Sequence, residues 1–154
     1  MIIDKNSNLK RLDNLDYLYE EEIDTNEDII IDLDDRVVFQ EGIKTTKSIK
    51  SNVTIISRCD IKAGCDIKAG CGILAGLSIK AKWLSARLKI FAGVCTWRET
   101  MQEDKNIDVE ELKNGEVAYG NLNLLPKKEI KEMTVEEISK SLGYDVKIVK
   151  ESDK

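Results

Sequence analysis

The feature that most limits what this chain can fold into is an aliphatic beat every six residues. Ile31, Val37, Ile43, Ile49, Ile55, Ile61, Ile67, Ile73 and Ile79 fall on it without a gap. One residue is then dropped, and the beat resumes at Leu84 and Ile90. Its most regular stretch, "CDIKAGCDIKAGCGILAG" from Cys59 to Gly76, is three units of which the first two are identical. Neither the 3.6-residue period of a helix nor the simple alternation of an amphipathic strand gives this spacing. A short fixed period sustained over about sixty residues points to a solenoid, and a period of six to a parallel β-helix.

Side chains alternate across a strand, so positions two apart share a face. The aliphatic residue and the one two before it are therefore expected to point inward. In the regular units that earlier position is Cys59, Cys65, Cys71, Leu77 and Trp83. In the less regular early units it is Asp35, Glu41, Lys47 and Val53. Ala63, Ala69, Ala75, Ala81, Ala86 and Ala92 follow the beat by two and are small enough for the chain to turn a corner. Gly64, Gly70, Gly76 and Gly93 come next and are expected to supply unusual backbone angles.

This pattern resembles the hexapeptide repeat of left-handed parallel β-helices. The resemblance implies three units per triangular eighteen-residue coil, hence three to four coils over residues 31–96, and left-handed winding. Where that family often places glycine just after the aliphatic residue, many units here carry lysine. The wider layout, with "KIFAGVCTWR" followed by a short acidic segment, also resembles small uncharacterised β-solenoid proteins of bacterial phages and mobile elements.

The expected fold is mainly β: a short parallel β-helix with an N-terminal arm or helix and a small C-terminal helix–strand unit. Residues 1–30 form an acidic arm or cap, 31–98 the solenoid, 99–125 irregular rungs or a hairpin, and 126–154 a cap or docking unit. Leu9, Leu12, Leu15 and Leu18 suggest a short helix, although leucines spaced by three fit an extended arm nearly as well. Ile107, Leu112, Val117 and Leu122 are five apart, consistent with extra rungs, whereas Asn114-Gly115 is a hairpin signal. Near the C-terminus, Thr134 and Glu137 read as a capping box, Met133 and Ile138 as a hydrophobic staple, and Gly143 as the helix stop. Tyr144, Val146 and Ile148 then alternate as a strand.

Histidine is absent, which removes the usual general base and the commonest metal ligand. Hexapeptide-repeat acyltransferases and gamma-type carbonic anhydrases both rely on histidine, so the resemblance does not carry catalysis here. No catalytic, cofactor-binding or metal-binding residues are assigned, and an acyltransferase-like enzyme is the disfavoured reading. Cys59, Cys65 and Cys71 read as small apolar filler; the competing reading has them converge on a soft metal. No apolar run is long enough to span a bilayer and the N-terminus lacks a signal-peptide pattern. The expectation is cytoplasmic, with reduced thiols and no membrane partner.

Charge is sharply segregated. Residues 1–42 carry a net −9, residues 43–98 a net +9 and residues 99–154 a net −5. In an eighteen-residue coil Lys44, Lys62 and Lys80 would stack about 4.8 Å apart on one face, and Lys50 and Lys68 on the next. These five are the candidate partner-binding residues, for an acidic protein surface or nucleic acid, unless the acidic N-terminal segment neutralises them. The leading expectation is a non-catalytic solenoid that self-assembles, as a dimer or trimer, and binds partners. The alternative is a phage or mobile-element inhibitor of a host nuclease or nucleic-acid-binding complex.

Overall fold

A computed structural model describes residues 1–14, 16–127, 134–145 and 147. Its strands stack in parallel into a three-sided β-solenoid of about six turns, longer than the expected three to four. Face I stacks β1 (Ile2–Ile3), β5 (Ile29–Ile31), β8 (Ile49–Ser51) and β11 (Asp66–Ala69). Face II stacks β3 (Tyr17–Tyr19), β6 (Val37–Phe39), β9 (Ile55–Ser57) and β12 (Ile73–Ala75). Face III stacks β4 (Ile23–Thr25), β7 (Ile43–Thr45) and β10 (Ile61–Ala63). The long β13 (Ile79–Ala92) then bends around all three faces. β14 (Asn106–Tyr119) repeats that circuit one turn further on, and β15 (Asn121–Leu124) closes the stack on face III.

Register fixes three units per turn. Ile43, Ile61 and Ile79 pair in line, as do Ile49 and Ile67, and Ile55 and Ile73. The dropped residue after Ile79 is absorbed in the same scheme, because Ile67 pairs with Leu84 and Ile73 with Ile90. The five-residue spacing of Ile107, Leu112, Val117 and Leu122 is that of extra rungs: Ile107 lies over Ile79, Leu112 over Leu84 and Val117 over Ile90. Pairing there is parallel, so Asn114-Gly115 turns a solenoid corner and makes no hairpin. Gly115 takes φ +105°, a conformation that suits glycine.

Each short strand sends its first and third residues inward and its second outward. The beat residues from Ile43 to Ile90 are all essentially sealed from solvent, as are Ile107 and Val109. The third-position alanines Ala63, Ala69, Ala75, Ala81, Ala86 and Ala92 are buried beside them. A narrow prism has room for one large and one small side chain per strand, which accounts for the Ile-x-Ala pattern. This corrects the expected partner of the beat. Cys59, Cys65 and Cys71 sit half-buried at corners, and Trp83 is 38% exposed. The corner glycines are also needed for a different reason. A Cβ on Gly64, Gly70 or Gly76 would lie 2.1, 2.1 or 2.0 Å from the carbonyl oxygen of Thr46, Asn52 or Arg58 in the turn below. Close backbone approach demands glycine there; only Gly93 of that set has a positive φ.

The N-terminal turn departs from the six-residue beat. Ile29, not Ile31, is the beat residue, because Ile29 pairs with Ile49, and Ile31 pairs with Ser51 in the third-position column. Phe39 occupies that column on face II, where its ring lies 5.6 Å from that of Tyr19. Turns of twenty residues at this end, seen in Ile23 to Ile43 and Ile29 to Ile49, make space for these larger side chains. Leu9, Leu12 and Leu18 form no helix. The first residues make β1, and β2 (Lys10–Arg11) folds back antiparallel on β3, covering the lower edge of face II; Leu15 lies outside the described residues. Leaving such an edge open would template aggregation.

Helix α1 (Val135–Leu142) has the expected capping box, with Thr134 Oγ1 accepting from Glu137 N–H at 3.2 Å and Thr134 N–H donating to Glu137 Oε2 at 2.8 Å. Gly143 ends it at φ +76°. The Met133 staple and the strand through Val146 and Ile148 fall outside the described residues. Among the described residues no helix is long and apolar enough to cross a membrane.

Candidate interaction surfaces

The outward position of each strand decides what the solenoid shows to its surroundings. On face III that column reads Asp24, Lys44, Lys62, Lys80, Asp108, Asn123, all in register. On face I, Lys50 pairs with Lys68 and Lys68 with Ser85. The structure therefore brings the five candidate lysines into two adjacent columns, as their spacing requires.

It also shows how far the chain neutralises them itself. Asp24 Oδ2 accepts from Lys44 Nζ at 2.7 Å, and Asp60 Oδ2 from Lys62 Nζ at 2.9 Å. The Asp24 carboxylate raises the pKa of the Lys44 ammonium. Lys80 faces Asp108 in register, yet Asp108 Oδ1 accepts from Asn123 Nδ2 at 2.8 Å. Lys50, Lys68 and Lys80 are exposed and have no ion pair among the described residues.

Asp60 ties two turns together through its carboxylate. Besides Lys62 it accepts from Ser78 Oγ at 2.6 Å and Ser78 N–H at 3.0 Å, locking one turn to the next. Partial burial pushes its pKa up, but the Ser78 and Lys62 bonds outweigh that and hold it below the usual carboxylate range. Asp66 occupies the equivalent position one unit later. There the dropped residue sets Trp83, instead of a serine, in register above it, and Asp66 Oδ1 is buried without a partner among the described residues.

The three solenoid cysteines stand at three different corners of one turn, each only partly buried. Among the described residues no group of three or more His, Cys, Asp or Glu side chains is placed to hold a metal ion. Burial raises the Cys59 thiol pKa, which works against thiolate chemistry.

Face II differs from both lysine faces, and this surface was not picked out from the sequence. Its outward column is Leu18, Val38, Ile56, Leu74, Phe91 and Tyr119, each in register with the next. It carries no charge over six turns. The first five are half-buried and Tyr119 is 45% exposed. Beside the column, after β13, the insertion 93–105 runs down the corner between faces II and III. Trp97 Nε1 reaches Arg58 O at 3.4 Å, and Arg98 Nη2 donates to Asp104 Oδ1 at 2.9 Å. An open cleft between this insertion and the column is lined by Phe91, Gly93, Val94, Cys95, Thr100, Ala118 and Tyr119. No family model, curated protein or solved structure matches this chain.

Proposed function

We propose that this chain is a non-catalytic β-solenoid that self-associates side by side through face II and leaves its lysine-bearing faces for partners. The observation that carries this reading is the uninterrupted column from Leu18 to Tyr119. Five steps of about 4.8 Å give it a length of roughly 24 Å. With its flanks it covers on the order of 400 Å², within the range at which an exposed apolar patch on a soluble protein is often functional.

A second copy is the occupant that fits. An uncharged apolar column can pack on a copy of itself without burying a charge, as an isologous two-fold interface requires. End-to-end stacking is opposed by charge, since the segments at both ends are net negative. The non-catalytic part rests on the absent histidine and on the linings of the open clefts. Phe91, Val94, Thr100 and Tyr119 line one, and Gln40, Glu41, Arg58, Cys59 and Trp97 another. The first also holds Cys95 but no carboxylate or amine base; the second sets Cys59 with Glu41, where burial and then the carboxylate's charge raise the thiol pKa, against the thiolate that acyl transfer would use.

Thermal melts across a hundredfold concentration range test the proposal. Assembly that stabilises the fold makes the melting temperature rise with protein concentration. Ile56→Lys, on the outside of the sheet, should abolish that dependence and keep a cooperative melt. A wild-type melting temperature independent of concentration would argue against association.

A further inference from the structure

In a three-sided solenoid the corner between faces III and I lies opposite face II. Lysines crowd that corner on three successive turns. Lys44 and Lys62 are held by Asp24 and Asp60. Lys47, Lys50, Lys68, Lys80 and Lys82 are all exposed, and none has an ion pair among the described residues. The fold makes no use of these five charges. Their stacking is a small cost to the free protein through like-charge repulsion.

We propose that this corner is a nucleic-acid contact that grips the phosphate backbone of a duplex without reading its sequence. The residues between the lysines include the small or hydroxyl-bearing Thr46, Ser48, Gly64 and Ser85, and the one carboxylate among them, Asp66, is half-buried with Oδ1 sealed from solvent. Lysine with hydroxyl side chains is how proteins contact phosphates. A protein interface is depleted in lysine and built around apolar or aromatic anchors, which this corner does not offer. Its aromatic residue, Trp83, has Lys113 Nζ 3.8 Å above the ring and is not free to stack on a base. That points away from single strands, whose binding relies on stacking. Lysine ammoniums are point charges without the planar fork that reads guanine edges, so backbone contact is what they supply.

The ridge is short. Asp24 below and Asp108 above bound the face III column, leaving three turns, roughly 10 Å. It can meet about four phosphates, so binding is modest and strongly salt-dependent. Side-by-side assembly through face II would turn the ridge outward on every copy and multiply the contact; only this multiplication rests on the self-association reading.

The test uses the full chain and a fluorescein-labelled DNA duplex of arbitrary sequence, about twenty base pairs long, followed by anisotropy across a salt series. The wild type should bind at low salt, with log K falling against log salt at a slope of about −3 to −4. Replacing Lys47, Lys50, Lys68, Lys80 and Lys82 with Gln should weaken binding on the order of 30-fold and flatten the slope. The melting temperature should hold or rise, which excludes misfolding as the cause. Lys140→Gln, on α1, should leave binding unchanged. No binding by the wild type at low salt, or equal binding by the five-site variant, would overturn the proposal. So would tighter binding of a labelled Glu-rich peptide than of the duplex, which would give the corner to acidic proteins. Duplex binding retained by a monomeric Ile56→Asn, Leu74→Asn variant, which adds no charge, would separate this inference from the face II reading.

Discussion

Asp24 on β4 and Lys44 on β7 stand in register and meet at 2.7 Å, so the acidic N-terminal turn caps the first rung of the lysine column. The next lysine, Lys62, is held by Asp60 in its own strand connection. The column is therefore part neutralised and part free.

Changing Lys44, Lys62 and Lys80 together to Gln removes two ion pairs and one uncompensated charge. Exposed pairs contribute little, and here their loss is offset by relief of lysine–lysine repulsion. The melting temperature should fall at low salt by at most about 2 °C, and the difference should vanish in high salt as screening removes both terms. Melts in low and high salt check this; a large drop that persists in high salt would mean that these lysines pack as well as pair.

Gly70 and Gly42 should respond differently to alanine. A Cβ on Gly70 would sit 2.1 Å from Asn52 O, whereas on Gly42 the nearest atom is Asp60 O at 3.5 Å. Gly70→Ala must push two stacked turns apart and should cost roughly 2–4 kcal/mol, in the range of overpacking damage. Gly42→Ala should be within about 0.5 kcal/mol of neutral or stabilising, because the unfolded chain loses freedom. Urea unfolding of the two variants compares them directly.

Acid should loosen the solenoid at Asp60. Its carboxyl is held below its ordinary value by Ser78 and Lys62. A depressed carboxylate contributes stability that is present above the unfolded pKa, about 3.9, and lost as the pH falls through the folded pKa. Asp60→Asn should therefore lower stability at pH 7 and narrow its gap to the wild type below about pH 3. A gap that stays constant across pH would place the effect in shape instead of charge.

Much of the architecture was legible because the six-residue beat is the interior itself. The N-terminal turn departs from the beat for a specific reason. The connection Asp32–Arg36 carries two extra residues, so Ile31 keeps the six-residue interval to Val37 although Ile29 is the true beat position. An even insertion preserves the inward parity of both residues and hides in the count. The same parity argument points the cysteines inward. It fails at Cys59, Cys65 and Cys71 because alternation holds within a strand and each of these residues lies at a corner between strands. Face II is written in the same repeat. The residues after the beat run Lys44, Lys50, Ile56, Lys62, Lys68, Leu74, Lys80, Ser85, Phe91. Every third one is apolar, which gives both the three-unit turn and the face left without charge. The extent of self-neutralisation by Asp24 and Asp60 was not legible, because it depends on which carboxylates the corners bring within reach.

Sedimentation velocity over a range of concentrations tests the central claim, association through face II, most directly. The wild type should sediment as a discrete dimer, as a two-fold interface requires. The Ile56→Lys, Leu74→Lys variant should sediment as a monomer with its melt still cooperative, and the five-site lysine variant should match the wild type. A wild type that stays monomeric at the highest concentration, or a double variant that sediments like the wild type, would contradict it.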